Sequence, residues 1–244
     1  MNVQATLRKL EEMRLEGIFR AYKEVMETNV NKNFTTDELI AHLVQAEWDS
    51  RYNKRLKRLI SGARFRYHSS FEEIDFIEKR NLDKNVMLRF NSCDWITKKQ
   101  NVIITGPTGV GKSFISSALG HQACHYGFKV KYNNCTKLFD NLKIAKADGS
   151  YITQINKIAK IDLLILDDFG LKPLDGVQRL ILLEIFEDRH GKRSTIITSQ
   201  LPINKWFDII AEPTIADAIL DRLVHSSHRI ELKGESLRKK YKNN

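Results

Sequence analysis

Lys112 and Ser113 close the run Gly106-Pro-Thr-Gly-Val-Gly-Lys-Ser113, which matches the spacing G-x-x-x-x-G-K-[ST] at every defined position. Gly106, Gly109 and Gly111 let the backbone curl until successive N–H groups point at one anion, and Pro107 stiffens the turn. With Thr108, Val110 and Phe114 they form a candidate phosphate cradle. Lys112 is placed to meet the β- and γ-phosphates of a nucleotide and Ser113 to offer a hydroxyl to Mg²⁺. A second carrier of chemistry lies downstream, where the aliphatic run Ile161-Asp-Leu-Leu-Ile-Leu ends in Asp167-Asp168. A carboxylate at the end of a buried strand is costly unless it meets a cation. Asp167 is therefore the candidate metal ligand, and Asp168 the group that orients an attacking water. Thr198-Ser-Gln200, at the end of a further apolar run, is a third polar cluster aimed at the same place.

Other readings of these residues fare less well. Asp168-Phe-Gly170 spells the metal motif of protein kinases, but no H-R-D catalytic loop accompanies it. The three glycines do not have the G-x-G-x-x-G spacing of a dinucleotide fold. A small-molecule phosphotransferase is not excluded by the phosphate loop alone.

The elements needed to hold these groups are readable from periodicity. Asn101–Thr105 predicts a strand entering the loop, and Ser113–Tyr126 a helix leaving it, with its positive end on the anion. Residues 128–133, 161–167, 195–199 and 229–232 predict further strands. Residues 137–147, 151–160, 175–189 and 213–224 predict the helices between them, so the expectation is α/β, a doubly wound core with five parallel strands. Upstream, Leu7–Met26 has one apolar stripe at three-and-four spacing. Thr35 with Glu38 makes a capping box opening a helix to about Ile60, and Ser69–Glu72 a second box; a helix near Lys84–Trp95 then delivers the chain to the first strand. This divides the chain into a small all-α module, residues 1–67, and a core, residues 68–244.

Composition sets the partners. The 244 residues carry 40 Lys+Arg against 30 Asp+Glu, a formal charge of +10, which favours a polyanion. Arg51, Lys54, Arg55, Lys57, Arg58, Arg64 and Arg66 crowd into one stretch without a carboxylate, more than a helix dipole calls for, and are candidate contacts to double-stranded DNA. No run is long and apolar enough for a membrane span and no signal peptide is visible, so a cytoplasmic protein with no membrane partner is expected. Cys93, Cys124 and Cys135 have no spacing that suggests a disulfide framework or a zinc site.

Gly106–Ser113, Ile161–Asp168, Ser194–Pro202, Ile219–His225 and Arg229–Arg238 together resemble the IstB family, ATP-binding helpers of insertion-sequence transposases. That family is similar in turn to the helicase loader DnaC, both being AAA+ ATPases. The resemblance implies ATP and Mg²⁺ as cofactors, a homo-oligomer on duplex DNA and a cognate transposase as partner. By position it implies Gln200 as the sensor-1 residue, Arg222 as the arginine finger reaching a neighbouring subunit's γ-phosphate and Arg238 as a sensor-2-like contact. Asp168 stands where many AAA+ proteins have Glu, which implies slow hydrolysis. The short stretch after the last strand implies no C-terminal lid. A helicase-loading adaptor, with ATP as a binding switch, is the alternative reading.

Overall fold

The computed structural model describes residues 2–28, 34–76, 80–225 and 227–237. It divides into two compact units, Met1–Arg58 and Leu59–Asn244.

In the first unit the stripe of Leu7–Met26 folds as two helices, α1 (Val3–Glu12) and α2 (Glu16–Thr28), broken where Arg14 turns left-handed at φ 58°. The Thr35–Glu38 box forms as expected: the Glu38 carboxylate accepts from the Thr35 amide at 2.7 Å and from its hydroxyl at 2.8 Å. It starts α3 (Thr36–Ala63), a single long helix in which the division between the units falls. Gly17 makes the contact between α2 and α3 possible, since a Cβ there would lie 2.3 Å from the Ala46 carbonyl oxygen. Into that contact α3 sends a buried carboxylate. Glu47 accepts from the Gly17 and Ile18 amides at 2.7 and 3.2 Å, capping the start of α2, and pairs with Arg51 at 2.7 Å. Arg20 adds a bond to Ser50, and Lys54 an ion pair to Glu16 at 2.5 Å.

The second unit continues through α4 (Lys84–Asn91) and α5 (Asp94–Thr97) to β1 (Asn101–Thr105), α6 (Lys112–His125) and β2 (Val130–Asn134). After α7 (Cys135–Ala147) and α8 (Tyr151–Ala159) come β3 (Leu163–Phe169), α9 (Gly176–Arg189) and β4 (Ser194–Ser199). A short 3-10 turn, α10 (Trp206–Ile210), α11 (Pro213–Val224) and β5 (Ser227–Glu231) complete it. All strand pairs are parallel, in the order β2-β3-β4-β1-β5. This is the five-stranded sheet of an AAA+ core. β1 and β4 are buried at every position, as aliphatic runs covered on both faces should be. The strand order places the ends of β1, β3 and β4 side by side, so that the phosphate loop after β1 faces the carboxylates ending β3.

Two expectations need correction. The helix near Lys84–Trp95 is two helices, because Cys93 adopts φ 57° and turns the chain between them. The Ser69–Glu72 box opens no helix among the described residues. The exchange moves one residue on, Ser70 N–H to Glu73 at 2.7 Å, and closes a turn that buries Phe71 and Ile74. No apolar period in the sequence marks α10, which is held by Trp206, fully buried against Phe169 with ring centroids 4.7 Å apart. The three cysteines are free and buried, and burial pushes the Cys93 and Cys124 thiols up to about 12.

Burial alone would raise the Glu47 carboxyl, but the hydrogen bonds from Arg51, Ile18 and Gly17 outweigh it and leave it below its ordinary 4.5. Its contribution is therefore fully present above that value and lost as pH falls through the lowered one. Glu47→Gln is expected to cost the helical unit about 1–3 kcal/mol at neutral pH and to flatten the acid limb of its stability. Circular dichroism melts between pH 3 and 7 test this; equal acid limbs in both proteins would remove Glu47 from that role.

Candidate nucleotide site

The loop between β1 and α6 has the backbone its glycines predict, with φ 147° at Gly106, 82° at Gly109 and 97° at Gly111. Each is also a close approach. A Cβ on Gly106 would lie 2.4 Å from the Leu232 carbonyl oxygen, and one on Gly109 2.0 Å from the Ser236 hydroxyl. The segment after β5 crosses the loop and fastens it, with the Leu237 amide donating to Gly109 at 3.0 Å. From the other side Arg80, buried, donates to the Val110 carbonyl at 3.1 Å. Lys112 begins α6 with its ammonium 2.7 Å from the carbonyls of both Gly106 and Pro107.

Opposite the loop, β3 ends irregularly. Its register with β4 shifts between Leu166 and Phe169, and Asp168 adopts φ 60°, a left-handed conformation uncommon outside glycine but one that aspartate and asparagine enter more readily than other side chains. The bulge sends the two carboxylates in different directions. Asp167 is fully buried and collects donors. The Ser113 hydroxyl reaches its Oδ1 at 2.8 Å, the Thr198 hydroxyl shares that oxygen, and the Tyr132 hydroxyl donates to Oδ2. Burial, reinforced by Asp167, pushes the Tyr132 hydroxyl above its ordinary range, so it stays protonated and donates. Asp168 stands half-buried, its amide bonded to Thr198 Oγ1 at 3.1 Å and its Oδ2 accepting from Asn134 at 3.2 Å.

Arg66 has a place different from the one expected. Instead of standing with the basic stretch, its Nη1 lies 3.3 Å from Asp167 Oδ2 and 3.2 Å from Asp168 Oδ2. Phe65 sets this position. It stacks on His121 at 4.3 Å over Gly120, where a Cβ would come within 2.5 Å of the Phe65 ring, and the left-handed Arg64 before it turns the chain towards β3. Two anions at one strand end then draw the nearest guanidinium.

A cavity of about 630 Å³, within the range of small-ligand sites, joins these parts. Thr108, Gly109, Gly111, Lys112, Ser113 and Phe114 line it on one side, and Asp168, Gln200 and Arg66 on the other. Tyr67, Glu73, Asp75 and Leu237 extend it beyond the phosphate loop. The described residues contain no group of three or more His, Cys, Asp or Glu able to hold a metal by themselves. One carboxylate and one hydroxyl, Asp167 and Ser113, lie together in the site, a pair of oxygen donors that would suit a Mg²⁺ brought by nucleotide phosphates.

Over residues 8–244 the sequence matches the model of the IstB-like ATP binding protein family. The chain belongs to the IstB-like family. It is 44% identical over 239 residues, 98% of each chain, to the "Putative insertion sequence ATP-binding protein y4pL" of Sinorhizobium fredii. It is 42% identical over 203 residues to the IS1162 counterpart of Pseudomonas fluorescens, covering 83% of this chain and 88% of that one. Among solved structures, DnaI aligns with a TM-score of 0.58 at 19% identity, over 72% of this chain and 93% of that one. The DnaC helicase loader aligns with 0.54 at 17% identity, over 68% and 98%. At these identities the two structures establish the fold alone.

In this IstB-like chain no motif in the sequence points to Tyr132, Asn134 or Arg80, and Arg66, a candidate DNA contact, stands at the strand end instead. Asn134 sits level with Asp167 in the β2–β3 register, and only that pairing reveals it. Arg222, on α11, does not line the cavity; it bonds the Ala218 carbonyl and pairs with Glu187 of α9 at 3.0 Å. Of the basic stretch, Arg51 and Lys54 have the ion pairs given above, while Arg55, Lys57, Arg58 and Arg64 are exposed. Arg238 lies outside the described residues. No described helix is long and apolar enough to cross a membrane.

Arg66 occupies carboxylate oxygens that a divalent cation would share. Arg66→Ala is therefore expected to lower severalfold the Mg²⁺ concentration that half-saturates binding of a fluorescent ATP analogue. A titration that superimposes on wild type would show that the guanidinium does not compete.

Proposed function

We propose that this chain is a Mg²⁺-dependent ATPase that assembles on duplex DNA and serves a transposase, selecting or remodelling target DNA and recruiting that enzyme. The observation carrying the catalytic half is the convergence of Lys112, Ser113, Asp168 and Gln200 on one cavity. The genetic half rests on membership of the IstB-like family and on relatives named for insertion sequences.

In this reading the amides of residues 106–113 and the Lys112 ammonium bind the β- and γ-phosphates, the ammonium exchanging its loop carbonyls for phosphate oxygens. Ser113 and Asp167 would hold Mg²⁺, which when bound would supply neutralising charge to the phosphates. Asp168 orients the attacking water and takes up its proton; the bond from Asn134 to its Oδ2 fixes the carboxylate for that task, and its amide, bonded to the Thr198 hydroxyl, anchors the backbone. Its side chain is a methylene shorter than Glu, which suits slow turnover. Gln200 reads the γ-phosphate. Arg222 completes the site of a neighbouring subunit in a homo-oligomer, exchanging Glu187 for phosphate. Lys57, Arg58 and Arg64, with Arg51, Lys54 and Arg55, track the DNA backbone, and the cytoplasm is the compartment in which such a protein meets its DNA.

Lys112→Ala is expected to abolish ATP binding, whereas Asp168→Asn keeps ATP bound and loses turnover by roughly 10² or more. Binding and single-turnover assays decide; equal ATP affinity in wild type and Lys112→Ala would remove the assignment. For the DNA contacts, the combined change of Lys57, Arg58 and Arg64 to Ala should weaken duplex binding for all sequences alike. Each lost phosphate contact flattens the log affinity against log salt slope by about 0.9. An unchanged slope, with lost capture of a replicative helicase, would favour the helicase-loading alternative.

A further inference from the structure

Arg80 is a buried cation that the proposed chemistry does not use. It is 4% exposed and lines the nucleotide cavity, yet it touches the phosphate loop through a backbone oxygen. Its Nη1 donates to the Val110 carbonyl at 3.1 Å and its Nη2 to the Asp75 carbonyl. The guanidinium lies directly on the loop, since a Cβ on Gly111 would come within 2.7 Å of Nη1. Its backbone is tied to the stretch that ends and follows β5. The Lys233 amide donates to the Arg80 carbonyl at 3.0 Å, and the Asn81 side chain to the Glu231 carbonyl at 2.9 Å. That stretch runs on to Leu237, whose amide holds the Gly109 carbonyl. Two consecutive loop carbonyls, those of Gly109 and Val110, are thus held by two segments that are bonded to each other.

A peptide unit is planar and trans, so its carbonyl and the N–H that follows point in opposite directions. Holding the Gly109 carbonyl therefore fixes the direction of the Val110 N–H, and holding the Val110 carbonyl fixes that of the Gly111 N–H. Both are turned away from Arg80 and Leu237, which in a curled loop is the side where an anion sits. The glycines make this control necessary. Gly109 and Gly111 stand at φ 82° and 97°, and a residue without a Cβ lets the adjoining peptide rotate at little cost. A competing donor lies within the loop, because the Lys112 ammonium already draws in the carbonyls of Gly106 and Pro107. A Val110 carbonyl turned the same way would present an oxygen to a phosphate in place of an N–H. A guanidinium, which keeps its charge and its donors at every working pH, is well suited to prevent that.

We infer that Arg80 is a positioning residue for nucleotide binding: together with the Leu237 amide it sets the peptides on either side of Val110, so that their N–H groups are aimed at phosphate before a nucleotide arrives. The inference rests on the reading that this loop binds nucleotide phosphates, and it gives Arg80 no contact of its own with the nucleotide. A loop already set in its binding conformation loses less on ordering when the ligand binds.

Equilibrium binding of ATP and of ADP to the full chain tests this, with Lys112→Ala as the control for the site. Arg80→Ala is expected to bind both nucleotides about tenfold more weakly and to a similar degree, because the two amides serve a phosphate that both carry. Millimolar guanidinium ion, compared with sodium at equal ionic strength, should restore most of the affinity of Arg80→Ala and leave wild type unchanged. Lost packing alone would not respond in that way. Leu237→Pro removes the second donor and should bind both nucleotides more weakly than Leu237→Ala, which keeps it; this pair decides the matter if Arg80→Ala does not fold, and equal affinities within it would overturn the inference. Wild-type affinity in Arg80→Ala, with binding lost in Lys112→Ala, would overturn the inference and leave the nucleotide site standing. Tight binding by Lys112→Ala would overturn the site and the inference with it. A loss confined to ATP would make Arg80 a ligand of the γ-phosphate, and a loss that guanidinium ion does not restore would make it a packing residue; either result contradicts the positioning role.

Discussion

A carboxylate with no exposed surface sits at the carboxyl end of the inner strand β3, and the arrangement around it follows from the need to satisfy its charge. An uncompensated buried anion costs several kcal/mol, so Asp167 has to be surrounded by donors or cations. The parallel sheet supplies them from neighbouring strands: Tyr132 from β2, Thr198 from β4, and Ser113 from the start of the helix that follows β1. That strand order brings the phosphate loop and the acidic strand end together. Hydrogen bonds alone leave the charge uncancelled, and the Arg66 guanidinium, 3.3 Å from its Oδ2, is the cation beside it among the described residues. In the proposed reading, a nucleotide-borne divalent ion would answer the same buried charge that Arg66 answers here.

Asp168 shows how the same strand end separates two adjacent carboxylates into different tasks. In a regular strand, neighbours point to opposite faces, and one of the pair would be lost to the far side of the sheet. The bulge between Leu166 and Phe169, paid for by a left-handed residue and stabilised through Thr198, keeps Asp168 on the cavity while Asp167 stays beneath it. Asn134 and Arg66 then fix its Oδ2 from two sides.

How much of this was legible in the sequence depends on the range of the interaction that decided it. The phosphate loop, the Asp167–Asp168 strand end and α11 are local signals, set by glycine conformations, aliphatic runs and a proline at the first helical turn, and they appear where the sequence places them. The break at Cys93 and the fate of the Ser69–Glu72 box were hidden, because each depends on what the neighbouring segment packs against. Arg66 was misplaced for a related reason. Its basic neighbours suggested a solvated, DNA-facing stretch, and only the docking of Phe65 on His121 and Gly120 shows that the chain has already turned towards β3. Tyr132, Asn134 and Arg80 carry no motif at all; register and burial reveal them.

The central claim is that occupation of this site by ATP drives ordered assembly on duplex DNA. Electron microscopy of the full chain with linear duplex DNA, with and without a non-hydrolysable ATP analogue, addresses it most directly. The account predicts regular protein arrays along the duplex with the analogue and Mg²⁺, and isolated particles without them. Equally regular arrays in the absence of nucleotide, or nucleotide-dependent assemblies that ignore duplex DNA, would contradict it.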